Sequence, residues 1–197
     1  MSTYILVDTA NTFFRARHVV RGSIDDKVGM ALHITLAGVK KAWNDFDGSH
    51  VVFCLEGRSW RKDFYTPYKA NRKVTMDKRS VREQEDDELF FEAYDDMTTF
   101  FREKSNCSVI RQANAEADDL IATWIQQHPD DNHVIISTDS DFYQLLAPNV
   151  TQYNGTTDQI VTLEGFKNAK TGEWVIDKKT KEVKTPVVPE WVLFEKC

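Results

Sequence analysis

Four short apolar runs, Tyr4–Val7, Val51–Leu55, Ser108–Arg111 and His133–Ser137, are rich in β-branched and aromatic residues and read as strands. Between them the apolar positions change to helical spacing. Leu32, Leu36, Val39 and Trp43 carry it in the first interval. Leu89, Phe90, Tyr94, Met97, Phe100 and Phe101 carry it in the second, and Leu120, Ile121, Trp124 and Ile125 in the third. Strands that alternate with helices need crossover connections, so the pattern predicts an α/β fold around a parallel sheet. The aromatic stripe of the second helix reads as core packing. After Val150 the texture changes. Val150–Tyr153 and Gln159–Thr162 read as short strands, and Glu173–Thr185 as a hairpin with Lys178 and Lys179 at its tip. Pro189 suits the first turn of a helix through Trp191, Val192, Leu193 and Phe194, and the chain stops inside it without a C-cap. No repeat or low-complexity linker interrupts the sequence, which predicts a single domain over 1–197.

Hydrophobic residues make up 41% of the chain, which excludes a disordered protein. No apolar run approaches the ~20 residues needed to span a bilayer, so no membrane partner is expected. Met1 leads directly into the first strand without a basic n-region, which predicts no signal peptide. Cys54, Cys107 and Cys197 are odd in number and show no zinc-ligand spacing. They point to a reducing cytoplasm. The net charge of −6 argues against a nucleic-acid partner until its distribution is considered. Arg58, Arg61, Lys62, Lys69, Arg72, Lys73, Lys78, Arg79 and Arg82 lie close together, opposed only by Asp63 and Asp77. That arrangement suits a protein that holds phosphates in one place and metal ions in another. A solvated charged loop is the competing reading, and Trp60, Phe64 and Tyr65 weigh against it because exposing them together is costly. Lysine and arginine at this density suit phosphate contact, and Tyr68 could stack on an exposed base.

Ligands of an open parallel sheet bind beyond the carboxyl ends of its strands, and acids gather at those ends. Asp8 ends the first strand and Glu56 follows the second. Glu116, Asp118 and Asp119 open the helix after the third, and Asp139 and Asp141 follow the fourth. One such acid usually caps a helix, but so many on one edge would repel unless cations neutralise them. Oxygen ligands without histidine or cysteine point to Mg²⁺ or Mn²⁺. At 100° per residue, Glu116 and Asp119 share a helix surface while Asp118 points elsewhere, so the three need not share one ion.

Four blocks together resemble a known family. Val7-Asp8-Thr9-Ala10-Asn11-Thr12-Phe13-Phe14-Arg15 is similar to the opening motif of the flap-endonuclease and 5′-exonuclease family, most like its phage-type members. Trp60-Arg61-Lys62 with Tyr68-Lys69-Ala70-Asn71-Arg72 resembles its basic motif. Glu116-Ala117-Asp118-Asp119 matches its EADD block and Ser137-Thr138-Asp139-Ser140-Asp141 its S-x-D-x-D block. The resemblance implies a PIN-like α/β core with a helical arch over about 58–88, and cleavage of DNA phosphodiesters at 5′ ends or single-strand/duplex junctions with two divalent ions. It assigns Asp8, Glu56, Glu116, Asp118 and Asp119 to a first metal site and Asp139 and Asp141 to a second. Lys69 and Arg72 would contact the scissile phosphate, with Arg15, Arg61, Lys62, Tyr68 and Lys73 binding nucleic acid.

The chain departs from the family pattern with Glu56 in place of aspartate and Thr9 in place of glycine. The resemblance also implies that a later segment with two more aspartates and a helix–three-turn–helix module is absent. The second site is then incomplete, and a second polypeptide is a candidate partner. RNA in an RNA/DNA hybrid is a further candidate substrate. The alternatives are a PIN-type ribonuclease and a catalytically weak module that binds single strands.

Overall fold

In the computed structural model, residues 1–19, 21–65, 67–68 and 80–188 are described, excluding the side chains of residues 16–19 and 82. The helix opened by Pro189 and much of the 58–88 segment, including Lys69, Arg72 and Lys73, therefore lie outside the described residues.

The strands are β1 (Thr3–Asp8), β2 (His50–Leu55), β3 (Ser108–Arg111), β4 (Asn132–Ile136), β5 (Val150–Asn154), β6 (Gln159–Thr162) and β7 (Gly165–Asn168). They form one sheet in the order β3-β2-β1-β4-β5-β6-β7. The first five in that order pair in parallel, as the alternating sequence pattern predicts. The last three form an antiparallel meander, because their short connections leave no room for a crossover. The chain steps outward from β1 through β2 to β3, then returns to place β4 on the other side of β1. The switch point, where such folds bind ligands, is the crevice beyond the ends of β1 and β4.

The helices are α1 (Thr9–Val19), α2 (Ile24–Asp45), α3 (Arg61–Phe64), α4 (Val81–Lys104) and α5 (Ala117–Gln127), with a 3-10 turn over Ser140–Leu145. The sequence pattern predicted one helix between the first two strands, and the structure has two. Gly22, at φ +137°, and the capping box of Ser23 with Asp26 break α1 from α2. Residues 81–88, read as the end of the arch, are the opening turns of α4. Ser80 starts that helix by accepting a hydrogen bond from Glu83 N at 3.3 Å. Among the described residues, no helix is long and apolar enough to cross a membrane.

Strand alternation divides the core. Ile5, Val7, Val51, Phe53, Val134 and Ile136 face α1, α2 and α4, where they meet Phe13, Ala31, Ala42, Phe90, Tyr94 and Met97. Leu6, Val52, Cys54 and Ile135 face α5 and the 3-10 turn, where they meet Ala117, Ile121 and Phe142. In α2 the buried residues are Ala31, Thr35 and Ala42, while Leu36 and Trp43 are exposed. The small residues let the helix approach the sheet, and counting only large apolar positions misplaced its inner face. On the far edge, Val175 N donates to Phe166 O and Phe166 N to Lys184 O, both near 3 Å, while Ile176 bridges Val183. Residues 173–184 thus fold back along β7. Gly165, at φ +150°, leaves the space they need, since a Cβ there would lie 2.7 Å from Val183.

The exit of β2 is pinned to the loop before α5. Gly57 N donates to Ala115 O and Arg58 N to Ala113 O, each at 2.9 Å. A Cβ on Gly57 would lie 2.0 Å from Gln112 O and 2.6 Å from Ala115 O, so only glycine fits this approach. Gly57→Ala should therefore destabilise the fold by about 1–3 kcal/mol or more. Gly29→Ala, where a Cβ would meet nothing within 4 Å, should stabilise it by up to about 1 kcal/mol. Urea unfolding of the two variants checks both signs, and a neutral Gly57→Ala would show that the loop relaxes freely.

Candidate functional site

The acids of the sheet edge are held by backbone N–H groups and hydroxyls, some local and some from distant segments. Asp8 ends β1; its Oδ1 accepts from Asn11 N at 3.4 Å and its Oδ2 from the Ser137 hydroxyl at 2.8 Å. Ser137, read from the sequence as the last residue of its strand, lies just beyond β4, and its N–H still donates to Tyr153 O at 3.3 Å. Its hydroxyl also accepts from Asp139 N at 3.1 Å, and Asp139 Oδ1 accepts from Asp141 N at 2.9 Å. Across the switch point, Glu56 Oε2 accepts from Ala117 N at the start of α5, at 3.2 Å. The N-termini of α1 and α5 thus both open onto the acidic edge, and their partial positive charge offsets part of its repulsion.

Glu116, Asp118 and Asp119 each offer a carboxylate oxygen within 4.8 Å of the other two. The helical wheel had turned Asp118 away, and the structure corrects it. Glu116 is the N-cap of α5 with extended backbone, φ −83° and ψ 165°, so the 100° step does not apply across it. Its N–H donates to Asp119 Oδ2 at 3.0 Å, while Asp118 Oδ1 accepts from Asp119 N at 2.8 Å. An all-oxygen group of this size suits a hard divalent cation. Cys54 pairs with Asp8 across the β1–β2 ladder. Burial, reinforced by the charge of Asp8, pushes its thiol far above the usual range, so it stays protonated and offers no thiolate.

Arg61 also needs correction. Sequence reading placed it among the nucleic-acid contacts, but it is buried. Its guanidinium donates to Glu116 Oε2 at 2.8 Å and to both Asp119 oxygens at 2.8 and 3.2 Å. Burial works against its charge, but Asp119 first and then Asp118 hold it firmly protonated. Two hydroxyls donate to the same Glu116 oxygen, that of Ser59 at 2.6 Å and that of Tyr68 at 3.1 Å. Tyr68, read as a base-stacking residue, thus has its hydroxyl anchored on a carboxylate. Lys62 is exposed on α3, beside Trp60 and Phe64, whose rings meet edge to face at 5.8 Å. Arg15 is exposed and donates to the Thr138 hydroxyl, which itself donates to Asn11 Oδ1 at 2.9 Å.

The sequence reading missed Tyr94. Its hydroxyl is buried without a hydrogen-bond partner among the described residues. Burial, followed by the charges of Glu56 and Asp8, pushes its ionisation far up, so it remains a neutral donor on the inner side of the acidic edge. The signal was a single phenol in a stripe otherwise made of phenylalanine and methionine.

Burial pushes the Asp8 carboxyl up to about 7, with the charges of Glu56 and Asp139 adding to the rise and the Ser137 and Asn11 hydrogen bonds opposing it. A divalent cation would relieve this cost, and the donor set fits one.

Against known proteins, residues 3–172 match the family model described as 5′-3′ exonuclease, N-terminal resolvase-like domain. A flap endonuclease Xni of Shewanella loihica is 29% identical over 168 residues, 83% of this chain and 60% of the relative. A DNA polymerase I of Caldicellulosiruptor bescii is 32% identical over 132 residues, 63% of this chain and 14% of the polymerase. The chain thus spans about three fifths of the Xni relatives it matches. Among solved structures, T5 5′-exonuclease with bound zinc ions superposes with a TM-score of 0.68 at 24% identity, covering 82% of this chain and 58% of that one. A bacteriophage T5 flap endonuclease in a pseudo-enzyme-product complex with DNA and metal ions gives 0.65 at 24% identity, with the same coverage. These likenesses establish the fold.

Two outcomes follow. Because the Asp8 carboxyl titrates higher in the fold than in the unfolded chain, its stabilising contribution is complete below about pH 4 and is lost as the pH rises through about 7. Asp8→Asn should therefore melt above the parent at pH 8 without divalent metal, by an amount on the order of a few kcal/mol. The gap should close towards pH 4, and added divalent cation should raise the Tm of the parent more than that of the variant. Arg61→Ala, which leaves Glu116 and Asp119 without their guanidinium, should cost about 3–5 kcal/mol in metal-free buffer. Denaturant unfolding measures it, and an unchanged midpoint would mean that the pair is not buried in solution.

Proposed function

From a chain that belongs to the family of 5′-3′ exonuclease N-terminal resolvase-like domains, we infer a divalent-metal-dependent 5′ nuclease that hydrolyses DNA phosphodiesters at 5′ ends or single-strand/duplex junctions. The observation that carries this reading is the convergence of Glu116, Asp118 and Asp119 within 4.8 Å at an edge shared with the buried Asp8. The T5 flap endonuclease complex with DNA and metal ions supports DNA as the substrate class. The oxygen-only donors favour Mg²⁺ or Mn²⁺, and two ions fit the division of the acids. Asp8, Glu56, Glu116, Asp118 and Asp119 would hold the first, and Asp139 and Asp141 the second. When bound, the ions supply an activated water and stabilise the leaving 3′ oxygen.

The side chains around the acids have separate tasks. Arg61 pairs with Glu116 and Asp119 and fixes them in position. Ser137 joins the end of β1 to the loop that carries Asp139, so the two groups of acids keep one spacing. Trp60 and Phe64 on α3 present exposed aromatic surface on which unpaired bases can stack. Lys69 and Arg72 follow Tyr68, whose hydroxyl is anchored on Glu116. From there they would offset charge developing on the scissile phosphate, and this favours turnover more than binding.

Cleavage assays test the reading. Flap DNA should be cut only with divalent metal, leaving a 5′-phosphate and a 3′-hydroxyl, and Asp118→Asn should abolish it. RNA/DNA hybrids, and a helix–three-turn–helix polypeptide added in trans, extend the substrate and partner arms of the assay. Cleavage confined to RNA, or none at any metal concentration, would overturn the reading. Lys69→Ala should lower turnover by a factor on the order of 10²–10³ at nearly unchanged affinity. Weaker binding at unchanged turnover would instead assign Lys69 to anchoring.

A further inference from the structure

A cavity of about 400 Å³ opens beside the acidic edge, walled by α1, α2 and the ends of β4 and β5. Ser137 and Thr138 line it, and Ser137 is hydrogen-bonded to both Asp8 and Asp139. Along the sheet, α3 follows β2 on one side of β1, and this cavity lies on the other side.

Two features of its wall point to a ligand. Ile34, Ala37, Gly38 and Lys41 line it at the spacing of a single stripe of α2. This stripe runs beside the core-facing one and remains uncovered, with Ile34 38% exposed. The rim carries Arg15 and Lys41. The Arg15 guanidinium donates to a neutral hydroxyl and has no ion pair among the described residues. Lys41 pairs with Asp45 at 2.5 Å, sits 3.9 Å from Asp158 and lies over the Tyr153 ring at 5.7 Å. Gly38 stands in the same stripe, and a Cβ there would meet no atom within 4 Å, so the position is open to substitution.

We propose that this cavity is a nucleotide subsite that takes one base of the DNA strand against Ile34 and Ala37 while a flanking phosphate meets Arg15. An apolar hollow with an exposed arginine at its rim matches the amphipathic character of a nucleotide. Placed across β1 from α3, the subsite holds the strand on both sides of the acids, so that the scissile phosphate is located by two grips.

The proposal rests on the nuclease reading for its ligand, and its test is kept separate from cleavage. Fluorescence anisotropy in metal-free buffer with EDTA reads binding of flap DNA in which one nucleotide at a time is made abasic. The parent should lose affinity on the order of tenfold at one position. Gly38→Phe, which fills the cavity, should bind intact DNA about as weakly as the parent binds that abasic strand, and should no longer distinguish the position. Gly29→Phe, on the same helix and equally open but outside the cavity lining, should behave as the parent. Ala37→Phe on the same wall gives the same reading should Gly38→Phe fail to fold by circular dichroism. Parent-like affinity and position sensitivity in the cavity variants, or equal losses in Gly29→Phe, would overturn the subsite while leaving the nuclease reading intact. A failed cleavage assay with the expected anisotropy pattern would do the reverse.

Discussion

Carboxylates gathered on one sheet edge repel one another, and much of the surrounding structure answers that repulsion. Two helices begin at the edge and turn backbone N–H groups toward it. Arg61 is withdrawn from solvent to bind Glu116 and Asp119. The hydroxyls of Ser59, Tyr68 and Ser137 each donate to a carboxylate. Asp8 still carries a substantial cost, because burial removes the water that would have stabilised its charge. The fold is therefore arranged around a charge that its own groups offset only in part.

This arrangement explains which parts of the molecule could be read from sequence. The strands and the parallel order follow from apolar runs alternating with helical spacing, a pattern set by burial on both faces of a sheet. The location of the acids at strand ends follows from the same pattern. Orientation was less accessible. Asp118 was misdirected because a helical wheel was extended to Glu116, which lies outside the helix. Arg61 was counted among the outward-facing cations because a run of basic residues does not reveal which one turns inward. That choice depends on Glu116 and Asp119, more than fifty residues away. Tyr94 is part of a stripe read as core packing, in which Phe90, Tyr94 and Met97 are buried but Leu89 and Phe100 are exposed, and its buried hydroxyl is not visible in that pattern.

The switch point also gives the edge two unlike flanks. On the β2 side stand Trp60, Phe64 and the buried guanidinium. On the β4–β5 side stand an apolar hollow, Arg15 and Lys41. Gly57 and Ser137 fix the distance between them, the first by admitting a close backbone approach and the second by bridging β1 to the following loop. Neither touches both flanks, yet each sets where its flank stands relative to Asp8.

The fold-back of residues 173–184 along β7 has a consequence for solution behaviour. An open sheet ends in rows of unpaired N–H and C=O groups that can recruit a strand from another molecule. Here Phe166, in the middle of β7, has its outward amide and carbonyl taken by Lys184 and Val175, and the turn beyond carries Lys178, Lys179 and Lys181. At the opposite margin β3 is only four residues long and ends in Arg111. A short charged margin on one side and an occupied one on the other give the sheet little capacity to template its own aggregation.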